Sequence, residues 1–194
     1  IVSLVGSEMC IRDSSDIVGG SIVIKENKEY AEKISFIQNA VGAVPSPFDC
    51  YLLTRSIKTL SVRMKQHNEN AIAVSNYLSN HPKIEKVFFP GNDKRHKEIA
   101  EKQMDGFGGM MSFVIDSDIN GVKTFLKNLN LFTLAESLGG VESLIEHPAI
   151  MTHASIDPSI REKLGISETL LRISVGIEDV DDLISDLDQA LSKI

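Results

Sequence analysis

The sequence predicts an α/β domain over residues 61–194, preceded by a shorter stretch of different character. Three observations predict it. Short apolar and β-branched runs alternate with runs whose apolar residues recur every three or four positions. One helical run, from Phe48 to about Leu78, exceeds an ordinary globular helix and follows a proline turn, as a helix joining two domains does. The chain has 194 residues, 42% of them hydrophobic and 24% charged, ordinary values for a protein that buries a core without disulfides or metals.

The elements follow in order. Residues 1–14 (IVSLVGSEMCIRDS) show no clean period of two or of 3.6. The chain opens on Ile, and this stretch is expected to be a non-native leader, the alternative being a real strand and loop of a truncated domain; it is set aside from the fold. Val18 to Ile24 reads as a β-branched strand. Ala31, Ile34, Ile37 and Ala40 repeat at helical spacing, and Gly42 ends that helix. Pro45-Ser46-Pro47 is a turn, with Ser46 as helix cap and Pro47 at the first helical position. Tyr51, Leu52, Leu60, Met64, Ala71, Val74 and Leu78 form a drifting stripe, with a break expected near Ser61 to Arg63. Then come a strand at 84–89, a charged exposed helix at 94–104 and a buried strand at 108–115. A helix at 122–129 and short strands at 131–135 and 141–146 follow. Asp157 caps a helical turn that starts on Pro158 and stops at Gly165. A strand at 169–175 precedes a last helix at 179–192, with acids in its first turn.

Charge and composition exclude several classes. Lys and Arg number 20 against 27 Asp and Glu, a net charge of −7. No basic field exists to attract nucleic acid or an anionic membrane. No apolar run approaches the roughly 20 residues that span a bilayer. Two cysteines without a motif, Cys10 and Cys50, fit a reducing cytoplasm. His147 and His153 lack zinc-ligand spacing, so no metal is assigned. His67 and His96 lie on helical runs and are expected to be solvated.

Three stretches could carry chemistry. In 135–144 (AESLGGVESL) a strand ends in Glu136, Ser137 and Leu138 and then two glycines. A hydroxyl and a carboxylate stand where backbone can approach a ligand closely, although the glycines also suit a plain turn. In Thr169-Leu170-Leu171-Arg172-Ile173-Ser174-Val175, period two sets Leu171, Ile173 and Val175 on one face and Arg172 and Ser174 on the other with Leu170. An arginine amid apolar neighbours needs a partner, either an internal acid or the planar carboxylate of a ligand. His153, in Met151-Thr152-His153-Ala154-Ser155, reads as an ordinary hydrogen-bonded loop histidine.

Six stretches, taken together and in this order, resemble the Cys/Met-metabolism family of pyridoxal-phosphate enzymes, nearest the cystathionine γ-synthases and γ-lyases. They are Ser15-Asp16-Ile17-Val18-Gly19-Gly20, the run from Gly42 to Leu52, Lys58-Thr59-Leu60 with Arg63-Met64, the run from Leu131 to Gly140, Met151 to Ser155, and Leu171 to Gly176. The resemblance covers about nine-tenths of the chain. It implies a fold-type I homotetramer acting on amino-acid substrates. Residues 15–60 would end the large cofactor domain and hold the connecting helix, and residues 61–194 would be the small C-terminal domain. The cofactor, pyridoxal 5'-phosphate in the intact enzyme, serves as an electron sink for γ-replacement or γ-elimination at C–S or C–O bonds of homoserine-derived substrates. Arg172 then resembles the arginine that grips the substrate α-carboxylate, which decides its partner in favour of a ligand. Ser137 and the backbone of Leu138 resemble the loop beside that carboxylate, and Thr152 a residue supporting it. Glu136 matches an acid that helps set specificity.

The resemblance breaks near its start. The Schiff-base lysine belongs in a Ser-x-Thr-Lys stretch seven residues before Asp16, a position held by Met9. The Ser and Thr fall on Gly6 and Glu8. No catalytic or cofactor-binding residue is therefore assigned, and the chain as written is expected to be an inactive fragment with apolar surface left open. A non-catalytic carboxylate-binding or oligomerisation module is the alternative.

Overall fold

A computed structural model describes residues 2–7, 17 and 19–194. The chain divides into two units, Ile1–Leu60 and Ser61–Ile194.

In the first unit, β1 (Val2–Ser7) pairs antiparallel with β2 (Gly19–Ile24). Val2–Ser7 is thus a paired strand although VSLVGS lacks clean alternation, a difference from the leader expected there. Helix α1 (Lys28–Val41) starts where Asn27 accepts the Tyr30 N–H and ends at Gly42, whose φ of 68° is left-handed. Helix α2 (Pro47–Ile57) is capped by the Ser46 hydroxyl, which accepts the Asp49 N–H. No residue of α1 or α2 is buried. The break before α3 (Leu60–Asn80) falls at Lys58 and Thr59, ahead of the position read from sequence. There the N–H groups of Lys58 and Thr59 bond three residues back, and the Thr59 hydroxyl donates to the Ser56 carbonyl. Such local hydroxyl bonding competes with the helical ladder.

The second unit is a two-layer α/β fold. Its sheet runs β3 (Ile84–Phe88), β4 (Met110–Ile115), β7 (Leu170–Ser174), β6 (Leu144–Glu146), β5 (Thr133–Leu134). All neighbours are antiparallel except β5 and β6. Met111, Phe113 and Ile115 of β4 and Leu171 and Ile173 of β7 share one face, and all are buried. Against them pack Ala71, Val74 and Leu78 of α3, Val122 and Phe125 of α5 (Ile119–Asn128), and Leu183, Leu187 and Leu191 of α7 (Val180–Leu191). Phe113 meets Phe125 edge to face at 6.2 Å, a geometry that adds to area burial. Helices α4 (Lys94–Gln103) and α6 (Pro158–Lys163) complete the unit.

Two short strands are shorter than the sequence suggests, for one reason: carboxylates take their backbone donors. Asp186 of α7 accepts the N–H groups of Asn130, Leu131 and Phe132 at 2.8, 2.8 and 3.1 Å. Glu178 accepts the Ser143 N–H at 2.6 Å. His67 is a correction to the expectation of solvent exposure. It is buried, and its Nδ1 donates to the Val175 carbonyl at 2.7 Å. Beside it Asn70 donates to the carbonyls of Gly176 and Glu178. Together they tie α3 to the turn after β7.

Candidate carboxylate-binding site

The face of the sheet away from α3, α5 and α7 carries the polar residues. On β7, Arg172 and Ser174 alternate with the core residues Leu171 and Ile173. In the β6–β7 ladder Arg172 stands directly opposite Glu146, and Ser174 opposite Leu144. Directly opposed residues on antiparallel strands bring their side chains together. The pleat therefore makes the ion pair: Arg172 Nη2 lies 2.6 Å from Glu146 Oε2, so an internal acid is present after all, a correction to the expectation that a ligand in its place is the partner of Arg172. The Glu146 side chain is 1% exposed and the Arg172 side chain 24%. The Thr152 hydroxyl donates to Glu146 Oε1 and lies 2.8 Å from His153 Nδ1. Since the only hydroxyl hydrogen is spent on the carboxylate, that ring nitrogen is the donor to Thr152.

The loop after β5 closes the other side. Arg172 Nη2 also donates to the carbonyl oxygens of Glu136 at 2.6 Å and Ser137 at 3.3 Å. The Gly139 N–H, at a φ of 81°, donates to Ser174 Oγ at 2.7 Å. Leu138 sits between them, partly buried. Glu136 is exposed, and its carboxylate bonds to no described residue. Beyond the loop, Gly176 leaves no room for a side chain, because a Cβ there would stand 2.3 Å from the Val141 carbonyl.

All three contacts of Arg172 fall on one nitrogen. Among the described residues none reaches Nη1 or Nε. A guanidinium offers five N–H donors in a planar fork, so the donors on those nitrogens remain for a ligand oxygen. The arrangement is a cation buttressed from behind by a buried acid, with its remaining donors suited to a planar carboxylate. Among the described residues no lysine hydrogen-bonds or ion-pairs with this cluster. The cluster thus offers guanidinium N–H donors suited to an anion and, among the described residues, no amine for the aldehyde of pyridoxal phosphate. Met9, Glu8 and Cys10 lie outside the described residues.

Arg172, Glu136, Ser137 and Leu138 come together, and Thr152 joins them through Glu146. Sequence reasoning missed Glu146 and Ser174 as members. The signal for Glu146 was present: an acid directly after Leu144 and Ile145, inside a buried strand, needs a cation as much as Arg172 needs an anion. His147, next in the chain, is wholly buried. Its Nε2 donates to the Glu168 carbonyl at 2.8 Å, while Nδ1 meets no partner among the described residues. Burial pushes this imidazole below its ordinary range, against an opposing pull from Glu168 and with help from Lys123 and Arg161.

The chain belongs to the Cys/Met metabolism PLP-dependent enzyme family, whose model matches residues 10–192. Its fold is that of the fold-type I enzymes among the solved structures it matches. It is 53% identical over 185 residues to a cystathionine gamma-lyase of Dictyostelium discoideum, covering 94% of this chain and 47% of that protein. It is 52% identical over 179 residues to a cystathionine beta-lyase of Coxiella burnetii, covering 91% and 46%. Among solved structures, the cystathionine gamma synthase of Xanthomonas oryzae pv. oryzae in complex with cystathionine superposes with a TM-score of 0.88 at 42% identity, covering 99% of this chain and 50% of that one. The chain therefore spans about half the length of the relatives it matches.

Proposed function

We propose that residues 61–194 form the substrate-carboxylate half of a transsulfuration site, and that the whole protein is a pyridoxal-phosphate enzyme of the cystathionine γ-synthase or γ-lyase type. Its substrates would be homoserine-derived amino acids, and it would work as a cytoplasmic homo-oligomer, a tetramer by resemblance to the family. The observation that carries this reading is the placement of all three internal contacts of Arg172 on Nη2, with Nε and Nη1 left for a ligand.

In this reading Arg172 holds the α-carboxylate through those nitrogens. Glu146 and Thr152 hold the guanidinium in plane behind it. Ser137 and the Leu138 backbone line the approach. Glu136, exposed beside the cation, supplies a negative group that favours a substrate with a second ammonium. The apolar side chains exposed along α1 and α2 support association with further copies of the chain.

The test is to incubate the chain with pyridoxal phosphate, reduce with borohydride, and separately titrate it with L-cystathionine. The expected result is saturable binding of the amino acid with no cofactor fixed to the polypeptide, since Met9 stands where the lysine belongs. Cofactor fixed to the chain would overturn the expected inactivity. Absence of any L-cystathionine binding would overturn the carboxylate reading. Met9 also favours a second reading, a non-catalytic carboxylate-binding or oligomerisation module. Sequencing the locus upstream of the codon for Ser15 separates the two. An in-frame Ser-x-Thr-Lys there supports the enzyme, and confirmation of the codons for residues 1–14 behind a start supports the module.

A further inference from the structure

The two polar residues of β7 hold one loop by opposite ends of its hydrogen-bonding capacity. Arg172 draws the carbonyls of Glu136 and Ser137 to Nη2, and Ser174 accepts the N–H of Gly139. Ser174 is itself fixed. It is 3% exposed, lies opposite Met110 on one flanking strand and Leu144 on the other, and shares the rigid ladder with Arg172. Gly139 has the reverse character. At a φ of 81° it occupies a conformation that glycine enters freely but also leaves freely. The turn's own backbone preference therefore does little to hold it, and a tether from outside is required. Among the described residues that tether is the Ser174 hydroxyl, which accepts the Gly139 N–H.

We infer that Ser174 is a positioning residue for the carboxylate site. By holding Gly139 N–H it sets the turn that presents two carbonyls to Arg172 Nη2, and so keeps Nε and Nη1 aimed at the ligand. The inference rests on the reading of Arg172 as the carboxylate anchor. Ser174 touches no ligand in this account. It acts through the loop, and the loop acts on the guanidinium. Without the tether the carbonyls of Glu136 and Ser137 wander, Nη2 loses both hydrogen-bond acceptors and keeps the ion-pair contact with Glu146 alone, and the guanidinium rotates among several poses. A ligand must then fix the arginine as well as itself, which weakens binding.

The experiment uses the whole chain, labelled with ¹⁵N, as wild type, Ser174→Ala and Ser174→Thr. Three quantities are read: exchange of the Gly139 amide hydrogen, position and relaxation of the Arg172 Nε–H signal without ligand, and the dissociation constant for L-cystathionine. Loss of one hydrogen bond predicts about tenfold faster exchange at Gly139 in Ser174→Ala. The Arg172 Nε–H signal shifts and shows added motion, and the dissociation constant rises about five- to tenfold. Ser174→Thr keeps the hydroxyl and restores all three. Should Ser174→Ala not fold, Ser174→Cys, of similar size and a weaker acceptor, carries the same comparison.

Faster exchange at Gly139 with an unmoved Arg172 signal and unchanged affinity would make Ser174 a merely structural partner and overturn the inference. So would unchanged exchange at Gly139. If the wild type binds no L-cystathionine, the carboxylate reading fails, and the Arg172 Nε–H comparison still decides whether Ser174 orders the guanidinium.

Discussion

At the scale of single residues the site is a set of obligations that satisfy one another. Glu146 is buried to 1% exposure, so its charge is tolerable only beside Arg172. Arg172→Met should therefore destabilise the chain by about 3–5 kcal/mol in a urea titration. Adding Glu146→Met should recover most of that loss, because a buried pair exchanged as a unit for apolar side chains is near neutral. Additive losses in the double variant would contradict the pairing. His147 gives a pH prediction. Burial lowers its folded pKa, so the unfolded chain takes up the proton first as pH falls. Its contribution to stability is complete above the ordinary imidazole value of about 6.5 and is lost as pH drops below that value toward the folded pKa. Urea midpoints should fall over that window, and His147→Leu should flatten the fall. An unchanged slope in the variant would place the pH dependence elsewhere.

At the scale of elements, the legible parts were those in which a period runs unbroken. The alternation of Leu171, Ile173 and Val175 against Arg172 and Ser174 was readable because both faces of β7 are chemically distinct. Helix α7 was readable from the acids in its first turn, Asp181 and Asp182, whereas the caps Asp93 of α4 and Asp179 of α7 emerge only in the structure. What was not readable was set by partners far away in sequence. The truncation of β5 depends on Asp186, more than fifty residues on. The burial of His67 depends on the carbonyl of Val175 across the domain. Of the site, Arg172 and its loop stood out in residue pattern, but their assignment to a carboxylate site came from the resemblance alone, whereas Glu146 became visible only through the β6–β7 register. Asp186 supplies a prediction of its own. Burial alone would raise its pKa, yet the N–H groups of Leu131, Asn130 and Phe132 outweigh burial and hold it low. Asp186→Ala should cost roughly 2–3 kcal/mol, since hydrogen bonds to a charged acceptor are lost. Amide exchange at Leu131 and Phe132 should accelerate ahead of that in β4. Uniform acceleration across the sheet would show that α7 as a whole had loosened instead.

At the scale of the whole molecule the two units differ in kind. Ser61–Ile194 has a continuous core between its sheet and three helices. In the first unit α1 and α2 bury nothing, and Phe36, Ile37, Val41, Phe48 and Tyr51 are exposed. Apolar surface on this scale marks an association face. The chain should self-associate in a concentration-dependent way by sedimentation velocity, and Phe36→Glu with Phe48→Glu should shift it toward monomer. A monomer throughout a dilution series would count against that face.

The central claim is that Arg172 anchors a ligand carboxylate. The direct measurement is the L-cystathionine dissociation constant of the whole chain, wild type against Arg172→Lys, with the corresponding decarboxylated amine as control. Lysine keeps the charge beside Glu146 but loses the planar fork. The account predicts a loss of about tenfold or more in Arg172→Lys and no saturable binding of the amine. Equal affinities for the two chains, or for the two ligands, would contradict it.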